Sequence, residues 1–178
     1  LTDRHKFTVI QGLDSLVYKE DIELFKAFVF GVGVQQRDDS VGIGYHPKYQ
    51  FGFREVRYNK ENLFSSYYFN HTGRYYAGEL LETDTTAFYH CYYLPKPGHV
   101  WVGGLAYQYR YGKDILNSPL SMGGDVGLRG FETSSFTGNK SLLMNLEFRH
   151  RLPSKWSKVA IGQVFFADTG FAWKKGED

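Results

Sequence analysis

Among the side chains able to do chemistry, Arg129 is set apart by its surroundings, Ser121-Met-Gly-Gly-Asp-Val-Gly-Leu-Arg-Gly-Phe131. Gly123, Gly124, Gly127 and Gly130 let the backbone take positive φ, so the natural product is a compact loop that presents one arginine at a fixed place. A guanidinium held this way offers a planar fork of donors, which suits a carboxylate. Phe166-Ala-Asp168-Thr-Gly170 supplies one, because alternation along a strand puts Phe166, Asp168 and Gly170 on one face. The chemistry is recognition: a charge-assisted pair that docks a loop. The competing reading is a solvated arginine and a strand-end aspartate that never meet, where a pair would be worth at most about 1 kcal/mol. Phe131 and Phe166 would flank the docked pair, although Phe166 reads equally well as a core aromatic. Glu147 and Arg149 lie on the polar parity of their strand and could stand near Arg129; a solvated strand face accounts for them more simply.

Bond-breaking chemistry finds little support. The histidines at positions 5, 46, 71, 90, 99 and 150 are scattered, and no spacing among them suggests a zinc site. Asp38-Asp39 and the pair Glu79 and Glu82 are explained by turn and strand positions without acid-base work. The sequence holds no Gly-x-Ser-x-Gly elbow, and its glycine loop lacks the Lys-Ser/Thr ending of a phosphate cradle. The expectation is a protein that is not an enzyme, with no cofactor and no metal.

The elements that must position such a pair are constrained by composition. The chain has 178 residues and no internal composition shift, which predicts one domain over 1–178. A net charge of +2, from 21 basic and 19 acidic residues, gives no general pull toward nucleic acid. The single cysteine, Cys91, excludes an internal disulfide and reads as filler on a strand. Fourteen Tyr, 15 Phe and 3 Trp stand in a chain whose mean hydropathy is -0.41. A soluble domain would bury those rings and read as hydrophobic, whereas a membrane barrel spends them on its lipid-facing band and keeps a polar lumen. No apolar run of about 18 residues exists to make a transmembrane helix.

Alternation supports strands throughout. A short strand is expected at Lys6–Ile10. In Asp21–Gln36, Ile22, Leu24, Phe28, Phe30, Val32 and Val34 share one parity, with Glu23, Ala27, Gly31, Gly33 and Gln35 on the other. Arg37–Ser40 reads as a polar turn, and Val41–Tyr58 as one strand or two around Pro47. His71-Thr-Gly-Arg74 has the composition of a tight hairpin connection between Leu63–Asn70 and Tyr75–Thr83. Thr85–Leu94 is stopped by Pro95-Lys-Pro-Gly98. His99–Tyr111 carries Trp101, Leu105, Tyr107, Tyr109 and Tyr111 on one side, ending in rings as an interfacial girdle would. Gly112–Lys140 reads as a long irregular segment, a length that usually implies a task. Ser141–Arg151 and Lys158–Thr169 complete roughly seven to nine strands of about 9 to 12 residues, the length that crosses a membrane at a tilt.

Leu128-Arg-Gly-Phe131, followed by Asn145-Leu-Glu-Phe-Arg149 and then by Phe166, Asp168 and Gly170, resembles the BamA-like outer-membrane superfamily, also called the bacterial surface antigen family. It includes assembly barrels, TamA-like barrels and two-partner-secretion transporters. The resemblance is close over Leu105–Trp173 and only stylistic before it. It implies an all-β, antiparallel transmembrane barrel of about 16 strands, with a loop docked in the lumen through Gly123, Gly124, Leu128, Arg129, Gly130 and Phe131. It implies a place in the bacterial outer membrane, among outer-membrane lipids. It further implies unfolded or secreted polypeptide clients, periplasmic accessory proteins or self-association, and assistance to protein insertion or translocation. The family pattern would run about three strands past Trp173 to a closing strand, so a fragment is expected; no POTRA-like segment is seen. Two alternatives stay open: the anchoring barrel of a longer protein with an upstream patatin-like enzyme, and a passive pore.

Overall fold

The structure is a computed structural model that describes residues 6–11, 19–39, 42–59, 61–112, 119–124, 127–152 and 161–174. Ser40, Asp125, Val126, His5 and the turn at Pro153 lie outside the described residues.

The described chain is all-β. Its strands are β1 (Lys6–Gln11), β2 (Lys19–Asp39), β3 (Gly42–Tyr58), β4 (Leu63–Tyr76), β5 (Glu79–Lys96), β6 (His99–Gly112), β7 (Leu120–Met122), β8 (Phe136–Gly138), β9 (Lys140–Leu152) and β10 (Ile161–Trp173). Eight of them form one antiparallel sheet in the order β1-β2-β3-β4-β5-β6-β9-β10, and β7 pairs only with β8. Every neighbour in the large sheet is therefore the next strand in the chain, apart from the β7–β8 ribbon inserted between β6 and β9.

The register sorts the residues into two faces, because directly opposed residues point the same way. Phe30 faces Phe51, Phe51 faces His71, Tyr67 faces Tyr89, Tyr89 faces Leu105, Leu105 faces Met144, and Met144 faces Thr169. That face is apolar. Its rings lie in ladders across the strands, Phe28 on Phe53 at 5.1 Å, Tyr67 on Tyr89 at 4.8 Å and Trp101 on Phe148 at 4.7 Å between centroids. It is also bare: Phe28, Phe30, Val32, Met144, Leu146 and Phe165 are each at least half exposed. The opposite face carries Gln50, Asn70, Thr86, Gln108, Asn145, Glu147 and Asp168. Its polar side chains bond to one another, as in Gln50 to Asn70 at 2.8 Å and Arg110 to Asp84 at 2.7 Å.

A cluster of buried hydrophobic residues sits on the polar side at the β3–β4 turn end. Ile10, Val56 and Phe64 are buried there, with Ile22, Leu24, Phe25, Tyr58, Tyr92 and Leu94 packed against them. Leu24 and Phe25 are consecutive yet both join it. Alternation therefore breaks where β2 changes partner, from β1 through Leu24 to β3 from Phe25 onward.

Several expected boundaries move. His71–Arg74 is not a turn: β4 runs through it to Tyr76, and the hairpin turn falls at Ala77-Gly78, where φ is 49° and 84°. The misleading composition has a strand explanation. His71 lies 2.9 Å from Tyr49 Oη and 2.8 Å from Thr85 Oγ1, so its polar atoms are spent on cross-strand neighbours. Gly73 leaves the space that the Tyr49 ring fills. Arg37–Asp39 continues β2 instead of turning, and Val41–Tyr58 gives one strand, with Pro47 standing just past Lys48, where pairing with β4 ends. The long sheet strands have 13 to 21 residues, not 9 to 12. Gly112–Lys140 is not wholly irregular, because β7 and β8 lie within it.

Candidate functional site

β6 and β9 are neighbours, so the segment between them leaves and re-enters the sheet at one end. It folds back over the polar face. The β7–β8 ribbon lies against β9 and β10, with Leu120, Met122 and Leu128 buried. Backbone bonds fix its root: Asn139 donates to Trp173 O at 3.0 Å, and Arg110 donates to Asn139 O at 2.7 Å. Gly170 is needed where it stands, since an added Cβ would lie 2.7 Å from Met122 Sδ and 2.8 Å from Leu142 O. The ribbon thus seats on the glycine of Phe166-x-Asp168-x-Gly170. Gly123, Gly124 and Gly130 all take positive φ, at 127°, 58° and 89°.

The loop places Arg129 over the middle of β10. Its Nε donates to Asp168 Oδ2 and its Nη2 to Asp168 Oδ1, both at 2.7 Å, while its backbone N donates to the same Oδ2 at 3.2 Å. Nη1 donates to Glu147 Oε1 at 2.6 Å. The guanidinium lies 3.8 Å from the centroid of the Phe166 ring, a close cation–π contact. Asp168 is five residues above Trp173, so the arginine reaches roughly 17 Å along the strand from the end at which the loop enters.

Further bonds hold the receptor in shape. Asn145 Nδ2 donates to Asp168 Oδ1 at 2.7 Å and to Gly127 O at 3.0 Å, joining the strand, the aspartate and the loop backbone. Arg149 Nε donates to Glu147 Oε2 at 2.9 Å. Two cations therefore bracket Glu147. The Asp168 side chain is 3% exposed and that of Glu147 14%, so neither carboxylate has much water to rely on. Hydrogen bonding to Asp168 and then to Glu147 raises the Arg129 pKa above its ordinary value, which keeps the loop's charge fixed.

Arg129, Asp168, Phe166, Glu147 and Arg149 are thus brought together, with Gly170 beneath the ribbon. The solvated-face reading of Glu147 and Arg149 gives way to direct pairing. Phe131 is half exposed and its ring stands on Phe136 at 5.3 Å, while the ring under the guanidinium is that of Phe166. Asn145 is the member that sequence reasoning missed. Its place opposite Asp168 is fixed by the β9–β10 register, and the sequence shows only that it shares the polar parity of Glu147 and Arg149.

The arrangement is a bidentate, stacked arginine clamp on the polar face of the sheet. No group of three or more histidine, cysteine or carboxylate side chains that could hold a metal occurs among the described residues. No family model matches the chain, and no curated protein matches it.

Proposed function

We propose that this chain is the barrel portion, in whole or in part, of a BamA-like outer-membrane protein that assists the insertion or translocation of polypeptides. The observation that carries this reading is the Leu128-Arg-Gly-Phe131 loop, lying back on the polar face with Arg129 clamped by Asp168 and Glu147.

The division of the sheet supports the membrane side of the proposal. On the apolar face the described charged residues are few: Lys26, Glu55 and Arg57 lie on the β3–β4 turn side of β2 and β3, Lys96 stands opposite His99, and Lys140 stands opposite Trp173. Arg57 and Lys140 each lie over a ring, Tyr67 at 5.4 Å and Trp173 at 5.9 Å, as interfacial cation–aromatic pairs do. From Lys140 to His150 is ten steps, or about 34 Å of strand, which a tilt of about 40° projects to about 26 Å. The apolar band of an outer-membrane barrel is about 25 Å tall.

In this reading the polar face lines a lumen, and the docked loop braces the wall from inside. Exposed backbone at a strand edge would template an incoming client strand. The test is reconstitution of the full-length protein in liposomes with an unfolded barrel client. Faster client insertion, reduced by Arg129→Ala, is the expected result. Ion conductance without faster insertion would favour a passive pore, and ester hydrolysis by the full-length protein would favour an anchored enzyme.

A further inference from the structure

We infer a divalent transition-metal site formed by His99 and His150 at the turn end of the apolar face. The two residues are 51 positions apart in sequence, yet the β6–β9 register sets them directly opposite each other. Their ring centroids are 4.3 Å apart with 34° between planes. Phe148 stands beside both, at 6.0 Å and 6.2 Å.

The geometry suits shared coordination. Imidazole nitrogen binds Zn²⁺ at about 2.0–2.1 Å, which puts each ring centre about 3.2 Å from the ion. Two such rings at a right angle about the metal would have centres about 4.5 Å apart, and at a tetrahedral angle about 5.2 Å. The observed 4.3 Å is a few tenths of an ångström short of the first and about 0.9 Å short of the second, so the rings must part to admit an ion.

Tautomer and orientation are set as well. The Pro97 carbonyl can only accept, so His99 Nδ1–H donates to it, at 3.2 Å, and the lone pair resides on Nε2. An imidazole anchored through one nitrogen with the other free is the usual arrangement of a metal ligand. The anchoring turn is itself tied to β9, where Arg151 N donates to Gly98 O at 2.8 Å. His150 makes no ring hydrogen bond among the described residues.

No third histidine, cysteine or carboxylate joins the pair among the described residues. The site is therefore open, with water completing the sphere, and selects imidazole-favouring ions such as Zn²⁺ and Ni²⁺ over Mg²⁺, which demands oxygen ligands. An ion here would cross-link β6 to β9, the two strands between which the docked loop is suspended. The inference stands apart from the membrane reading, since it needs only the sheet register.

The experiment is calorimetric titration of the folded protein in detergent micelles with Zn²⁺, Ni²⁺ and Mg²⁺ in turn, with β-sheet content checked by circular dichroism. Zn²⁺ and Ni²⁺ should bind at one site and Mg²⁺ should not. His99→Gln and His150→Gln should each weaken Zn²⁺ binding at least about tenfold, while His90→Gln, on the opposite face, leaves it unchanged. Absence of Zn²⁺ and Ni²⁺ binding in the parent, undiminished binding in the two variants, or equal loss in His90→Gln would overturn the assignment.

Discussion

At the residue scale, the clamp is asymmetric in what its members lose when broken. Asp168 is covered and accepts from Arg129 and Asn145, so removing the arginine leaves a carboxylate that water cannot readily reach. Arg129→Ala should therefore destabilise by about 3 kcal/mol, the scale for orphaning a covered charge. Arg129→Lys should recover only part of this, because an ammonium keeps the charge but not the fork or the stacking on Phe166. Urea unfolding in micelles, with proteolysis of the loop as a second readout, checks both; protection equal to the parent in Arg129→Ala would count against a docked loop. Gly127 gives an independent probe. Its φ is 85° and an added Cβ would overlap the Leu143 side chain. Gly127→Ala should cost about 1–3 kcal/mol, and its loss should appear in the same protease assay.

At the element scale, the β4–β5 hairpin holds avoidable strain. Ala77 has φ of 49° beside Gly78 at 84°, a two-residue turn with both positions left-handed. Such turns favour Asn-Gly, and a non-glycine residue there carries a cost of roughly 1 kcal/mol. Ala77→Asn should raise stability by about 0.5–1 kcal/mol, seen as a higher urea midpoint at unchanged slope. At His71–Arg74, glycine and histidine suit a turn when only local chemistry is considered. In the sheet they answer instead to Tyr49 on β3 and Thr85 on β5, partners that no local window contains. The strands themselves were legible. Alternation in Ser141–Arg151 and His99–Tyr111 depends only on which parity is apolar, a property of adjacent residues.

At the scale of the whole molecule, the two faces should respond oppositely to charge. Met144 and Leu146 stand on the apolar face of β9, in the stretch between Lys140 and His150, and Gln108 on the polar face. If the band meets lipid, Leu146→Arg should cost about 2–4 kcal/mol in bilayers, while Gln108→Arg costs little. Equilibrium unfolding in liposomes compares the two variants, and equal effects would argue against a lipid-facing band.

The sequence alone pointed to an all-β chain, showed which parity of each clear strand is apolar, and offered Arg129 and Asp168 as residues of the right types to pair, with an unpaired reading still open. These follow from residue types and from a period of two, both of which are local. Only the tertiary structure decided that Asn145 and Glu147 complete the receptor, that Phe131 packs on Phe136, and that His99 meets His150. Those facts depend on register, and register is set by pairing between strands distant in the chain, where a shift of one residue would turn every side chain to the other face. The glycine of Phe166-x-Asp168-x-Gly170 shows the same division. Its type is visible in the sequence, but its reason, the seat for Met122, exists only once the ribbon has folded back onto the sheet.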